Sequence, residues 1–389
     1  GDVAADKFLA VAVGSLLVAA VLVSALRTVV LPQGGQTGIT RFVFAVANRV
    51  FTGANTRRIL PRHLSGLYAP VALVSLPFAW CMLIAVGFSF VFWGFDIGSF
   101  SDAWVTSGSS LFTLGFAKPE GGGLIWLTFV EATIGLGVVA LLISFLPTLY
   151  AAYSAREQGV GMLAPLAGSP ASATQLLWRL HAAHSLAGAG TWSSTSAWFV
   201  AVEQSHIAFP ALSQFPPQQE DRSWVATAGS VLDAAAIAIS VAEIEKGQPV
   251  DAAADAGGER PHVGGLLLVL THGSSAIVGT ARASGIDVED PPALVDLVLG
   301  TDHDARPISV ERREYDEAVE FLAKAGVVGA VDTERGWVIF SRIRASYDTA
   351  LRGLAGLTHA PPAPWTSDRA LIVGRPRFFS HKSLDTREP

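Results

Sequence analysis

Charge is scarce in this chain. Asp, Glu, Lys and Arg together make 15% of its 389 residues, against roughly a quarter in a soluble domain. The shortage is uneven. Residues up to about 155 are nearly free of acidic groups, and most of the 33 Asp and Glu come later. That division predicts a membrane part followed by a soluble part. Cysteine is almost absent. The single Cys81 excludes a disulfide framework within one chain, and inside an apolar run it reads as a small buried hydrophobe. The motifs of several function classes are missing. There is no strand followed by G-x-G-x-x-G, no P-loop and no H-E-x-x-H, so neither a nucleotide-binding module nor a zinc protease is expected. No Ser/His/Asp or paired-carboxylate arrangement supports an enzyme. No basic, aromatic-interleaved patch supports nucleic-acid binding. His181 and His184 stand three apart without a Cys or carboxylate cluster, and read as a satisfied or exposed pair, not metal ligands. Asp302-His303-Asp304 reads as a solvated turn. No cofactor is expected, and a net charge of −6 is too mild to name a partner.

Apolar length is abundant. Half the residues are hydrophobic and the mean hydropathy is +0.42. Three stretches are long enough to cross a bilayer, which takes about 20 apolar residues. The first runs from Phe8 to Leu26. It is too long for a signal-peptide core and ends in Arg27 without a cleavage site. The second lies within residues 64–95 and carries Pro70 and Pro77. The third lies within 124–155 and carries one charge, Glu131. Between the first two spans stand Arg41, Arg49, Arg57, Arg58 and Arg62 with no acid among them. By the positive-inside rule that loop is cytoplasmic, the N-terminus outside and the C-terminal half cytoplasmic. Residues 41–51 place aromatics and Arg at helical spacing. They read either as an interfacial helix that transmits force or as a plain amphipathic connector.

Between the second and third spans lies Ser107-Gly-Ser-Ser-Leu-Phe-Thr-Leu-Gly-Phe-Ala-Lys118. A short helix is expected from Ser101 or Asp102, near its N-cap, to about Phe112. A Thr-x-Gly-aromatic turn follows. Thr113-Leu-Gly-Phe-Ala117 resembles the filter of the potassium-channel pore family, usually Thr-Val-Gly-Tyr-Gly-Asp, and the resemblance covers residues 64–157. It implies a homotetramer in the bilayer, a re-entrant pore loop, and ions dehydrated by rings of backbone carbonyls. Carried over, Thr113 supplies hydroxyl and carbonyl, Leu114, Gly115 and Phe116 supply carbonyls, and Phe116 packs outward. Ala117 stands where the family has a second Gly, which is penalised if that position needs positive φ. Lys118 stands where the family has Asp, so four copies make a positive ring at the outer mouth. The permeant ion implied is a monovalent cation, potassium first.

Glu131 is a costly intramembrane carboxylate. It reads as a partner for Lys118, a hydrogen-bond acceptor behind the filter, a carboxylate ring in a cavity, or a helix–helix contact. Gly135 and Gly137 read as an inner-helix hinge or as close packing by small residues. Phe145 and Pro147 read as a hydrophobic constriction or a kink.

The remainder reads as helical: a helix opened by Ser169-Pro170, then 193–208, 223–246, 263–283, 309–325 and 337–357, with 247–261 a polar loop. The uncharged 263–281 reads as a buried helix in preference to a fourth span. The fold class expected is an all-α membrane protein with a tetrameric pore-loop core. Its parts are an N-terminal transmembrane helix (1–31), a basic linker (32–63), the channel module (64–156), a helical cytoplasmic domain (157–360) and a tail (361–389). The alternatives are a non-selective channel, or a non-conducting membrane sensor or scaffold on a degenerate pore fold.

Overall fold

The computed structural model describes residues 2–29, 39, 42–43, 46, 49, 68–186, 188–215, 217–219, 221–242, 262–292, 307–329 and 332–371. Every regular element among them is helical. The chain forms two compact units, Gly1–Tyr150 and Ala151–Pro389. The expected helix at 41–51 lies mostly outside the described residues, as do Arg41, Arg57, Arg58, Arg62, the loop 247–261, the turn 302–304 and the tail beyond 371.

The first unit holds α1 (Asp2–Val29), α2 (Tyr68–Gly94), α3 (Phe100–Leu111) and the start of α4 (Gly122–Ala167). α1 and α2 run antiparallel. Lys7 at the start of α1 pairs with Asp96 just past α2, while Gly14 meets Gly87 halfway along. A Cβ on Gly14 would lie 2.4 Å from the Gly87 carbonyl. That approach is possible only for small residues, the usual means of packing helices where lipid gives no hydrophobic drive between them. The unit's interior is apolar (Val21, Ile84, Phe88, Phe92, Leu111, Val138), and so is its outside, where Phe8, Leu16, Phe78, Trp126, Leu136 and Ile143 are exposed. α4 has 46 residues. At 1.5 Å each it is roughly 70 Å long, more than twice a bilayer's hydrocarbon core. It continues twelve residues past the limit of 155 read from the sequence.

The second unit contains the end of α4 and α5 (Ala173–Ala182), α6 (Ala189–Ala208), α7 (Trp224–Val241), α8 (Val263–Ala283), α9 (Arg312–Lys324), α10 (Thr333–Ala345) and α11 (Asp348–Leu357). α7 is its axis, packed by α5, α8, α10 and α11 and buried from Trp224 to Ser240. Several starts and stops differ from expectation; α6, for one, begins at Ala189 and not at 193. Ser169-Pro170 does not open a helix. It lies in the turn before α5, with Ser169 bonded to Asp221, and Ser172 takes the N-cap position. α9 begins at Arg312, behind a capping box made by Glu311 and Glu314. The single helix expected over 337–357 is two. The chain breaks at Ser346 and Tyr347 because Tyr347 and Asp348 are drawn inward, the phenol to Asp233 and the carboxylate to Ser309.

Among the described residues, five helices are long and apolar enough to cross a membrane: α1, α2, α4, α7 and α8. Together with the apolar exterior of the first unit they mark the chain as a membrane protein. The three spans read from the sequence included neither α7 nor α8.

His206, on α6, is fully buried. Its Nδ1 lies 2.8 Å from the Val202 carbonyl, its ring lies against Trp224, and its Nε2 is buried with no hydrogen-bond partner among the described residues. Burial, with the nearby Arg156 guanidinium, pushes its pKa down from 6.5 to about 3. The unfolded chain therefore takes up a proton near pH 6.5 while the folded chain does not. Stability from this group is full above that value and falls as pH drops toward 3, by about 1.4 kcal/mol per pH unit. Thermal unfolding between pH 6.5 and 4.5 is expected to show the wild type losing about 2–3 kcal/mol more than His206→Phe. Parallel profiles would contradict this assignment.

Candidate functional site

The site is built on α3, a twelve-residue helix. Its N-cap is Ser99, not Ser101 or Asp102. The Ser99 hydroxyl accepts from the Asp102 amide, and the Asp102 carboxylate accepts from the Ser99 amide. This reciprocal box settles the start of the helix two residues earlier than expected, because Asp102 is spent at the third position. One face of α3 is buried through Ala103, Thr106, Ser107, Ser110 and Leu111. The helix stops at Leu111, and the chain then makes a tight turn through Thr113 (φ 54°) and Gly115 (φ 73°). Glycine adopts this left-handed backbone freely. A β-branched Thr in it costs roughly 1–2 kcal/mol, and such residues concentrate at functional sites. Ala117 is not among the positive-φ residues. The penalty considered for a side chain at that position therefore does not arise.

The hydrogen bonds of this turn converge on one residue. The amides of Leu114 and Gly115 donate to the Ser109 carbonyl at 2.8 and 3.3 Å, and the amide of Ala117 donates to Ser109 Oγ at 3.0 Å. In a trans peptide N–H and C=O point opposite ways. Three amides turned toward Ser109 thus turn the carbonyls of Thr113, Leu114 and Phe116 away from it. Among the described residues no donor reaches the carbonyls of Thr113, Leu114, Gly115 or Phe116. These residues are exposed, Leu114 at 63% and Phe116 at 69%. Lys118 is exposed beside them.

Behind α3 sits a buried polar knot. Ser107 Oγ lies 3.0 Å from the Ala85 carbonyl of α2 and also meets Glu131 Oε1 of α4. Ser89 Oγ donates to the same Ala85 carbonyl at 2.7 Å. Glu131 is fully buried, and its Oε2 has no partner among the described residues. Glu131 thus makes a buried polar contact between α4 and α3. The side chain turns neither to Lys118 nor to open space. One turn on, Gly135 faces the end of α3, and a Cβ there would lie 2.2 Å from the Leu111 carbonyl. Gly137 faces open space. Gly135→Ala is expected to cost about 1–3 kcal/mol by pushing the end of α3 away, while Gly137→Ala stays within about 0.5 kcal/mol. Thermal unfolding in detergent of the two variants compares them directly. Phe145 lines an apolar crevice with Thr28, Val29, Leu76, Pro77 and Trp80, whereas Pro147 is exposed within an unbroken α4.

Ser107 and Ser109 carry the site's polar contacts, and neither was singled out from the sequence. The available signal is a run of hydroxyls at the end of a short helix between two spans. Polar groups at that depth must find partners within the protein. In the second unit, His181 lies near the end of α5 and His184 in the turn after it, and no group of three or more His, Cys, Asp or Glu is placed to hold a metal among the described residues. No family model matches the chain, nor does any curated protein or solved structure, so the role of the site rests on its own geometry.

Proposed function

We propose that the chain is one subunit of a homotetrameric channel for monovalent cations in the cell membrane, with potassium the favoured ion. The observation that carries this reading is the loop after α3. Three of its amides are spent on Ser109, and its outward carbonyls are unpartnered among the described residues, as groups that replace an ion's water must be. One loop reaches an ion from one side only, and four copies about an axis complete the cage. α4 suits the wall of such a pore. One exposed face carries Thr133, Gly137, Ala140, Ser144 and Thr148 at helical spacing. The hydroxyls of Thr133, Ser144 and Thr148 are bonded to carbonyls of their own helix, so this face can meet water or a sister helix without loss. The C-terminal end of α3 adds a partial negative charge that favours a waiting cation. The resemblance of Thr113-Leu-Gly-Phe to a potassium-channel filter points the same way.

On this reading the N-terminus is outside and the second unit is cytoplasmic, where it assembles the tetramer and biases the gate. The chain is not an enzyme, and it needs no cofactor and no nucleic acid. Lys118 favours a second reading. Exposed beside the loop, four copies of it repel cations, which suits a non-selective pore or a non-conducting sensor. The test is current through the purified protein in a planar bilayer with potassium on one side and sodium on the other. A reversal potential near the potassium limit supports the leading reading. A reversal near zero supports a non-selective pore, and silence from intact tetramers under every stimulus supports the sensor.

A further inference from the structure

We propose that the Ser109 hydroxyl is the positioning group that aims the Phe116 carbonyl and thereby sets the loop's discrimination between cations. This rests on the reading that the loop conducts. Three peptide planes of the loop are held by Ser109, but not in the same way. Those of Thr113–Leu114 and Leu114–Gly115 are held by its backbone carbonyl, which every residue at position 109 would supply. The plane of Phe116–Ala117 is held by its side chain alone, through the 3.0 Å bond from the Ala117 amide to Oγ.

The residue is buried at 1% exposure, and it spans eight positions of sequence to reach the outer limb of the loop. No other acceptor among the described residues takes the Ala117 amide. Without Oγ that plane is free to rotate, because its amide has no second anchor and its carbonyl no donor. A carbonyl that rotates no longer presents a fixed distance to an ion. Discrimination between two ions of equal charge depends on the number and placement of such dipoles. Ser109 therefore acts at the outermost of the carbonyls, while the two inner ones keep their backbone anchors. Ala117 fits the same arrangement. What this position needs is an N–H to donate to Ser109, not a glycine, so the side chain there is harmless.

The experiment uses the full chain in lipid nanodiscs and bilayers with Ser109→Ala, Ser109→Thr and Ser109→Cys. Threonine keeps the hydroxyl. Cysteine keeps the size but accepts hydrogen bonds weakly, and it serves if the alanine variant does not assemble. Hydrogen exchange at the Ala117 amide reads the anchor without any need for current. It is expected to quicken about tenfold in Ser109→Ala or Ser109→Cys and to stay near wild type in Ser109→Thr. The reversal potential between potassium and sodium is expected to move toward zero in the same two variants and to be kept in Ser109→Thr. Unchanged exchange overturns the anchor. Faster exchange with an unchanged reversal potential overturns its part in selectivity. If the wild type carries no current, the channel reading fails by itself, and the exchange data still decide whether Ser109 holds the loop.

Discussion

On the channel reading, Gly115→Ala is expected to reduce cation flux by about tenfold or more while leaving the oligomer assembled. Gly115 sits at φ 73°, and nothing lies within 4 Å of the Cβ it would gain. The substitution therefore meets no clash, and its whole effect is conformational. Forcing an L-residue into the left-handed region costs roughly 1–2 kcal/mol, and about 1.4 kcal/mol is a factor of ten in a rate. Relief comes by rotating the peptides on either side, which carry the Leu114 and Gly115 carbonyls. In a tetramer the strain is applied four times at one place. Potassium flux into vesicles measures it, with size-exclusion profiles confirming assembly. An unchanged flux would remove these carbonyls from the conducting path.

The largest loss of stability is expected from Arg344→Ala. Arg344 is fully buried in the second unit and uses all of its fork. Nε donates to Asp348 at 2.9 Å, Nη1 to Asp233, and Nη2 to the Trp365 carbonyl at 2.6 Å. The Tyr347 hydroxyl donates to the same Asp233 oxygen at 2.9 Å. Burial pushes the Asp348 carboxyl up, but Arg344 and the Ser309 bonds outweigh it and hold the group below the ordinary carboxylate value. Removing the guanidinium leaves the buried Asp233 on α7 without its counter-charge, while Asp348 at the start of α11 keeps Ser309 and Arg352. Breaking a buried pair in this way typically costs 3–5 kcal/mol, which for a unit of this size lowers the melting temperature by on the order of 10 °C. Arg344→Lys should recover only part, since the donors of one ammonium nitrogen cannot span acceptors placed around three separate nitrogens of a planar fork. Thermal unfolding followed by tryptophan fluorescence checks both variants. A change under about 1 kcal/mol in Arg344→Ala would mean that the pair is not closed off from water.

The same cluster explains one thing the sequence hid. Residues 346 and 347 are compatible with a helix, and nothing local marks a break between α10 and α11. The break is caused by partners more than a hundred positions earlier, at Asp233. The long apolar helices were legible, because each is a run of the right length, and the limits of α8 coincide with those read from its pattern. The span-length character of α7 was not, since its alanines, hydroxyls and Asp233 dilute the apolar signal.

In the candidate site, Glu131 stood out as the one carboxylate in an apolar run, and Gly115 as a glycine in a turn between spans. Ser109 did not stand out. Its importance lies in how the chain folds back over eight residues, and a hydroxyl beside two other hydroxyls carries no periodic mark of that. Ser99 was obscured for a simpler reason. Ser99, Ser101 and Asp102 are all good caps, and only the reciprocal bonds between Ser99 and Asp102 choose among them.

The measurement that tests the channel reading most directly is a single-particle reconstruction of the full chain in lipid nanodiscs with potassium present. The expected result is four subunits about one axis, with the Thr113, Leu114 and Phe116 carbonyls facing it and ion density between them. An assembly in which the four loops do not meet at an axis would contradict the account, whatever else the chain then proves to do.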